Sequence, residues 1–318
     1  MDAETQDLLR ESVRALMLSE PSDLVAELAE LGWAEAVADD EPATIGLLFA
    51  EQGATATASA VLDVVMTDAC GIGANGANAP RLPVVHPLAR TATSIDGAHL
   101  VVDGVSLSSA EFSTDMLVAS PDDETVILRV PRPQPHETAA VSGFDPSSKF
   151  HHIQFRVPIA EAEDMGADWR IARAAGRRAL AGELVGNGRA MLGIAVDQVS
   201  HREQFGRAIG ANQTPRHRLA DSYVHLAAAN ELVDAAWSSQ NEWDAIVAKT
   251  YAGYANELTA SACLQVCGAI GLTSEHRLGG YVKRARMLDA LYGGWHRSIQ
   301  RIGMDLTASG SLPQGASA

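Results

Sequence analysis

Apolar residues recur at three- and four-residue spacing along positions 3–36, first as Leu8, Leu9, Val13 and Leu16, then as Leu24, Leu28 and Leu31. Polar residues stand between them, which is the pattern of helices that bury one face. A further helix is expected from about Ala43 to Val65. At Cys70 the pattern changes, because Gly71, Gly73, Gly76 and Pro80 break any helix and open a stretch of short apolar runs. Thr91–Ile95, His99–Val102, Met116–Ala119, Thr125–Val130 and His152–Val157 are rich in β-branched or apolar residues. Asp96-Gly97, Asp103-Gly104, Pro121–Asp123 and Pro131–Pro135 between them suit hairpins and loops, so a small antiparallel barrel or sandwich is expected. From Glu161 the strand signals vanish. Amphipathic helices are expected over about Asp168–Phe205, Pro215–Ser239, Glu242–Ile270, Arg277–Ala290 and Trp295–Thr307, packed as a bundle of near-antiparallel neighbours. In the second of these, Leu219, Tyr223, Leu226, Val233 and Trp237 make the expected core stripe, interrupted by Asn230.

Helices, then strands, then helices argue for an α+β chain and against a doubly wound parallel sheet. The expected division is a helical unit at 1–75, a β unit at 76–158, a helical bundle at 159–308 and a fraying tail at 309–318. A hydrophobic content of 47% over 318 residues is that of a soluble globular chain. No apolar run reaches membrane-spanning length, and the opening Met1-Asp2-Ala3-Glu4 lacks the basic start of a signal peptide. Cys70, Cys263 and Cys267 contain no Cys-x-x-Cys pair, so a reducing cytoplasm is the expected location. The net charge of −16 argues against nucleic acid as a partner. Residues 1–51 alone hold thirteen Asp or Glu against Arg10 and Arg14, which leaves the C-terminal half free to meet an anion.

Gly71, Gly73 and Gly76 spell a literal GxGxxG with Asp96 twenty residues beyond. Pro80 and Pro83 forbid the helix whose N-terminus would hold a pyrophosphate, so this is read as a decoy. His151, His152, His201, His217, His225, His276 and His296 are scattered without paired ligands, which argues against a metal. No Ser or Cys stands in a Gly-x-Ser-x-Gly elbow.

The informative segments are His201 to Ile209, which contains Arg202, Gln204, Phe205 and Gly206, with Gln213 shortly after, and Gln265 to Gly271, which contains Gly268 and Ala269. Arg284 and Leu291-Tyr292-Gly293-Gly294 follow. Taken singly they read as helix-end charges and caps. As an ordered set over about Asp168–Gly303 they resemble the C-terminal domain of the acyl-CoA dehydrogenases, which carries Arg-x-x-Phe-Gly, then Gln, then Gln-x-x-Gly-Gly-x-Gly at these spacings. The strand block at 91–158 is similar to the family's middle β-domain. The resemblance implies an N-terminal helical domain, here truncated, a middle antiparallel β-domain and a C-terminal bundle, with FAD shared across a subunit interface. It also implies that Arg202, Gln204, Phe205 and Gln213 face the pyrophosphate and adenosine of FAD, with Gln265, Gly268 and Ala269 on the other side of the cofactor tail. A guanidinium clamps a diphosphate bidentately, and a residue without a side chain lets backbone approach a cofactor.

The departures from the family are as telling. Its catalytic Glu, which takes the thioester's α-proton while the β-hydrogen leaves as hydride, sits in a Tyr-Glu-Gly-Thr type loop; the matching position here is Gly293. The alternative Glu position, before an Arg early in the first bundle helix, is Gly176, followed by Arg177, a candidate substrate contact. Losing a general base typically costs about 10²–10⁴-fold in rate. Glu183 and Asp289 are nearby carboxylates, read first as solvated helix charges. Nothing between Thr67 and Arg90 resembles the segment that cradles the flavin ring. Short members of the family in steroid- and cholesterol-degrading actinobacteria pair with a full-length catalytic subunit as α2β2 heterotetramers, and their Gly-x-x-His-Arg ending resembles Gly293–Arg297. The resemblance therefore implies a base-lacking subunit of an acyl-CoA dehydrogenase acting on a bulky, steroid-derived CoA thioester, with electron-transferring flavoprotein as acceptor. A flavin-free scaffold of the same fold, or a homo-oligomer using Glu183 as its base, are the alternatives.

Overall fold

The computed structural model describes residues 1–73, 82–88, 92–107, 115–132, 138–140, 145–204, 206–273 and 275–311. The N-terminal helices are α1 (Ala3–Leu18), α2 (Leu24–Glu30), α3 (Trp33–Asp39), α4 (Glu41–Thr55) and α5 (Val61–Ala69). Part of the acidic excess of this segment is capping. Asp2, Asp23 and Asp40 accept the orphan N–H groups of Thr5, Val25 and Ala43 at the starts of α1, α2 and α4. The single helix expected over 43–65 is two, because Ala56 adopts φ +57° and its N–H closes back on the end of α4.

The strands are β1 (Thr93–Asp96), β2 (His99–Ser106), β3 (Asp115–Ala119), β4 (Val126–Pro131), β5 (Thr138–Ala140), β6 (His151–Pro158) and β7 (Glu163–Asp168). They form two antiparallel sheets ordered β1-β2-β6-β5 and β3-β4-β7. Leu100, Val102, Ile153 and Val157 of the first sheet share a core with Met116, Val118 and Val130 of the second, so the expected sandwich is present. The segment 82–88 stitches the sheets: Val85 N–H bonds to the Leu117 carbonyl, and His86 exchanges backbone bonds with Val105. Asp96-Gly97 makes the β1–β2 hairpin as expected. Asp103-Gly104 does not turn but lies within β2, where a Cβ at Gly104 would stand 2.7 Å from the His86 carbonyl oxygen. Strand β7 lies beyond the point where sequence signals vanish; pairing with β4 overrides its weak propensity.

The remainder is helical: α6 (Trp169–His201), a short hairpin of β8 (Glu203–Gln204) and β9 (Arg207–Ala208), α7 (Gln213–Ser239), α8 (Glu242–Cys267), α9 (Leu278–Ala290) and α10 (Trp295–Ser309). Helix α6 stops at His201, four residues earlier than expected, because Arg202 turns extended and the chain enters the hairpin. On α7 the core stripe is Leu219, Ser222, Leu226, Ala229, Val233, Ala236 and Trp237. Tyr223 is 66% exposed, since the three-residue step to Ser222 carries the stripe past it.

Every residue from Ala174 to Gly188 is buried, so this middle stretch of α6 is packed on all sides. Its partner α4 crosses it backbone to backbone. A Cβ on Gly186 would stand 2.0 Å from the Ala50 carbonyl oxygen, and one on Gly53 would stand 2.0 Å from that of Glu183. Gly186→Ala is therefore expected to lower stability by about 1–3 kcal/mol, seen as a lower urea midpoint with an unchanged slope. Gly193→Ala on the same helix, where a Cβ meets nothing within 4 Å, should instead gain up to about 1 kcal/mol.

Candidate functional site

The C-terminal end of α6, the start of α7, the end of α8 and the start of α9 are gathered by one core cluster. It contains Val199, Leu219, Cys263, Cys267, Leu278 and Tyr281. That cluster sets Arg202 at the C-cap of α6, Gln204 on β8, Gln213 at the first residue of α7, Gln265 in the last turn of α8, and Gly268 and Ala269 just past it. All six lie at this end of the bundle and all six are exposed. Phe205 lies outside the described residues. No described residue offers an acceptor to the Arg202 guanidinium, while Gln204 Nε2 folds back on the Glu203 carbonyl at 2.8 Å. Gly268 has φ +68° and ψ −151°, a conformation essentially reserved to glycine, and a Cβ there would meet nothing. Its glycine is demanded by backbone course at an open surface rather than by packing. A free guanidinium, three amide side chains and a bare backbone turn are a donor set that suits a diphosphate tail.

The loop after α9 is built quite differently. Tyr292 and Gly293 have φ of +58° and +89°, and the loop is held from three sides. Tyr292 N–H donates to the Pro87 carbonyl at 3.0 Å. Its hydroxyl lies 2.7 Å from His86 Nδ1, and His86 Nε2 lies 2.6 Å from Asp63 Oδ1. Burial holds the phenol well above its ordinary pKa, so it stays protonated. Tyr292, His86 and Asp63 thus form one buried hydrogen-bonded chain. On the opposite side, Lys249 Nζ donates to the carbonyls of Asp289 and Gly293, the latter at 2.8 Å. The Asp289 carboxylate receives Trp295 N–H at 3.2 Å and so caps α10.

The two glycines expected at base positions differ in their surroundings: a Cβ at Gly293 would meet only Ser298 Oγ, at 3.9 Å. Gly176 packs against α5, and a Cβ there would stand 2.8 Å from Met66 Sδ. Arg177, beside it, is buried and spends Nη1 on Glu242 at 3.3 Å. Burial first, and Arg173 second, bring its pKa down to about 10. The expectation that Glu183 and Asp289 are solvated charges is wrong. Glu183 is 2% exposed, forms an ion pair with Arg284, and accepts Gln52 Nε2 at 2.9 Å. The void beside it is about 10 Å³, room for about one water. Asp289 is bound to Lys249 and Trp295. Asp63, His86 and Lys249 escaped sequence reasoning. Of these, only Lys249 carried a signal, as a lone cation following Ala245-Ile246-Val247-Ala248.

Residues 169–304 match the family described as acyl-CoA dehydrogenase, C-terminal domain. The chain carries an acyl-CoA dehydrogenase C-terminal domain. Among curated proteins, the acyl-CoA dehydrogenase IpdE2 of Mycobacterium tuberculosis is 34% identical over 145 residues, 46% of this chain. The aligned stretch spans 44% of that relative, less than half its length. The fold is the acyl-CoA dehydrogenase fold throughout the chain. A structure of the Tcur3481–Tcur3483 steroid acyl-CoA dehydrogenase superposes with a TM-score of 0.75 at 19% identity, covering 96% of this chain and 98% of the other. The ChsE4–ChsE5 complex from M. tuberculosis gives 0.74 at 18%, covering 98% and 99%.

Beneath the loop at 291–294, Lys249 donates to the carbonyls of Asp289 and Gly293 from a buried position. Lys249 is 2% exposed, and desolvation brings its pKa down to about 8 despite the nearby Asp289. An unfolded lysine titrates near about 10.4. Below pH 8 the amine is charged in both states and the full burial penalty applies. Between the two values the native state has released a proton that the unfolded chain still holds, so stability rises with pH. Relative to Lys249→Met, the wild-type chain should gain up to about 1.4 kcal/mol per pH unit across that window, measured by urea melts. A flat difference would show that Lys249 keeps its ordinary pKa.

Proposed function

We propose that this chain is the base-lacking subunit of a heteromeric, FAD-dependent acyl-CoA dehydrogenase. The observation that carries the reading is the contrast between the two ends of the bundle. At one end Gly176 is packed under Met66 and Gly293 is a left-handed glycine, so neither position presents a carboxylate. At the other end Arg202, Gln213 and Gln265 remain exposed, and Arg202 has no acceptor among the described residues. A chain that keeps donors for a cofactor tail and lacks a base suits half of a shared site.

When bound, FAD supplies the hydride acceptor for α,β-dehydrogenation of the thioester. On this side of the interface Arg202 would hold the diphosphate through paired charge-assisted hydrogen bonds. Gln204, Gln213 and Gln265 would offer amide groups, and Gly268 and Ala269 would let backbone close on the tail. The proton acceptor would come from a full-length catalytic partner in an α2β2 assembly. The structural neighbours, a steroid acyl-CoA dehydrogenase and a two-component complex, support a bulky steroid-derived CoA thioester and a heteromeric state. Electron-transferring flavoprotein is the proposed acceptor, and the cytoplasm the proposed location. Among the described residues no helix is long and apolar enough to cross a membrane.

Flavin absorbance per chain, with mass by size exclusion, tests this. The chain alone should be colourless, and co-expressed with a longer acyl-CoA dehydrogenase it should be yellow and tetrameric, with about one FAD per pair of chains. Arg202→Ala should weaken FAD retention by roughly 10- to 100-fold, the equivalent of one charged hydrogen-bonding group at about 1.5–3 kcal/mol. Unchanged flavin content in that variant would favour a scaffold, and a yellow chain with turnover on its own would favour a self-sufficient homo-oligomer.

A further inference from the structure

Helix α6 borders a cleft of about 330 Å³ near its N-terminal end. The cleft is lined by the charged Glu41, Arg170, Arg178 and Glu242, with Gln240 and the apolar Ala69, Ile171 and Ala174 between them. The bottom is Arg178, which is 3% exposed and lies flat on Trp237, its guanidinium carbon 4.8 Å from the ring centroid. Its Nε and Nη1, and the indole Nε1 of Trp237 behind it, are buried with no acceptor among the described residues. Burying a guanidinium whose donors are unanswered is costly, and Arg178 brings that charge to the wall of the cleft. Desolvation brings the guanidinium down to about 10, so it is still charged at neutral pH.

The other charges of the cleft are already matched. Glu242 is held by Arg173 at 2.6 Å and Arg177 at 3.3 Å, and Arg170 is held by Asp168 at 2.8 Å. Glu41 is exposed at the rim and pulls on Arg178 only at a distance. Two carboxylates on the walls disfavour a dianion such as phosphate and tolerate a single negative charge. Ala69, Ile171 and Ala174 offer apolar wall to the body of such a ligand. The volume is at the small end of ligand sites. We infer that this cleft binds a short organic monocarboxylate, its carboxylate against Arg178 and its apolar part against Ile171 and Ala174.

The site is not the one proposed for the cofactor tail. Arg178 and Arg202 are separated by about 36 Å along α6, at 1.5 Å per residue, and Arg178 points about 200° around the helix from Gly176. Its success or failure is independent of the FAD reading.

The test is titration of the full chain with hexanoate, using hexanamide as the neutral isostere and sodium chloride at matched ionic strength, read by calorimetry and melting temperature. Hexanoate should bind saturably and raise the melting temperature with the logarithm of its concentration, and the two controls should not. Arg178→Met, which keeps an unbranched stem and removes the cation, should reduce affinity at least tenfold. Glu41→Gln, at an exposed position, should tighten hexanoate severalfold by removing a competing charge, and keeps the idea testable if Arg178→Met fails to fold. Equal binding of hexanamide, an unaltered affinity in Arg178→Met, or an unaltered affinity in Glu41→Gln would each overturn the inference. A response in the isolated chain that vanishes on co-expression with the catalytic partner would assign the cleft to a carboxylate of that partner, and would overturn the small-molecule reading.

Discussion

Helices α4 and α6 touch through their backbones, and much else in the molecule follows from that contact. Gly53 and Gly186 leave no room for a side chain between the two, so Gln52 is carried directly onto Glu183. Arg284 of α9 completes the group by pairing with Glu183 and donating to the Thr57 carbonyl just beyond α4 at 2.6 Å. Tyr281, one turn earlier on α9, donates to the Ala54 carbonyl at 2.8 Å. A buried ion pair adds little net stability over apolar packing, yet removing one partner typically costs about 3–5 kcal/mol. Its value here is register: α9 docks on α4 and α6 in one position, and the loop that follows α9 is then fixed in space.

That loop is where glycine at 293 becomes intelligible. A carboxylate-bearing residue there would need φ +89°, beside a Tyr292 already at φ +58° and a carbonyl held by Lys249. Met66 of α5 fills the space beside Gly176, and the same Met66 lies 3.1 Å from the Tyr292 hydroxyl. One thioether therefore links the surroundings of Gly176 to the loop at 291–294. Asp63, His86 and Tyr292 extend the coupling into the β unit, since His86 also bonds through its backbone to β2. The interior around Gly176 and Tyr292 is buried, whereas the far end of the bundle leaves its polar side chains to solvent.

How far this was legible in the sequence depends on how local each signal is. The bundle helices and strands β2, β3, β4 and β6 follow from periodicity and composition. The residues at 202–213 and 265–269 follow from an ordered motif. Strand β7, with the sequence Glu-Asp-Met-Gly-Ala-Asp, has no local strand signal and exists because β4 offers it a ladder. Asp103-Gly104 carries a strong turn signal for another reason: the glycine admits the 82–88 segment across the sheet edge. Glu183 looked like an ordinary helix charge because its partner Arg284 is 101 residues away. Asp63, His86 and Tyr292 are linked across 23 and 206 residues, a span over which no spacing rule operates.

The adjacent pair Arg177 and Arg178 shows why a residue's type alone does not settle its role. Both are buried on the same turn of α6, and desolvation lowers both to about 10. A step of about 100° around the helix separates their surroundings. Arg177 meets the carboxylate of Glu242, and its charge is answered within the fold. Arg178 meets an indole face, which offers a guanidinium about 0.5–2 kcal/mol of attraction and no lone pair for its N–H groups. A fold that needed only to fill that space could have used a methionine or leucine without desolvating a charge. Retaining the cation at the bottom of an open cleft makes chemical sense if the acceptor it needs arrives from outside the chain.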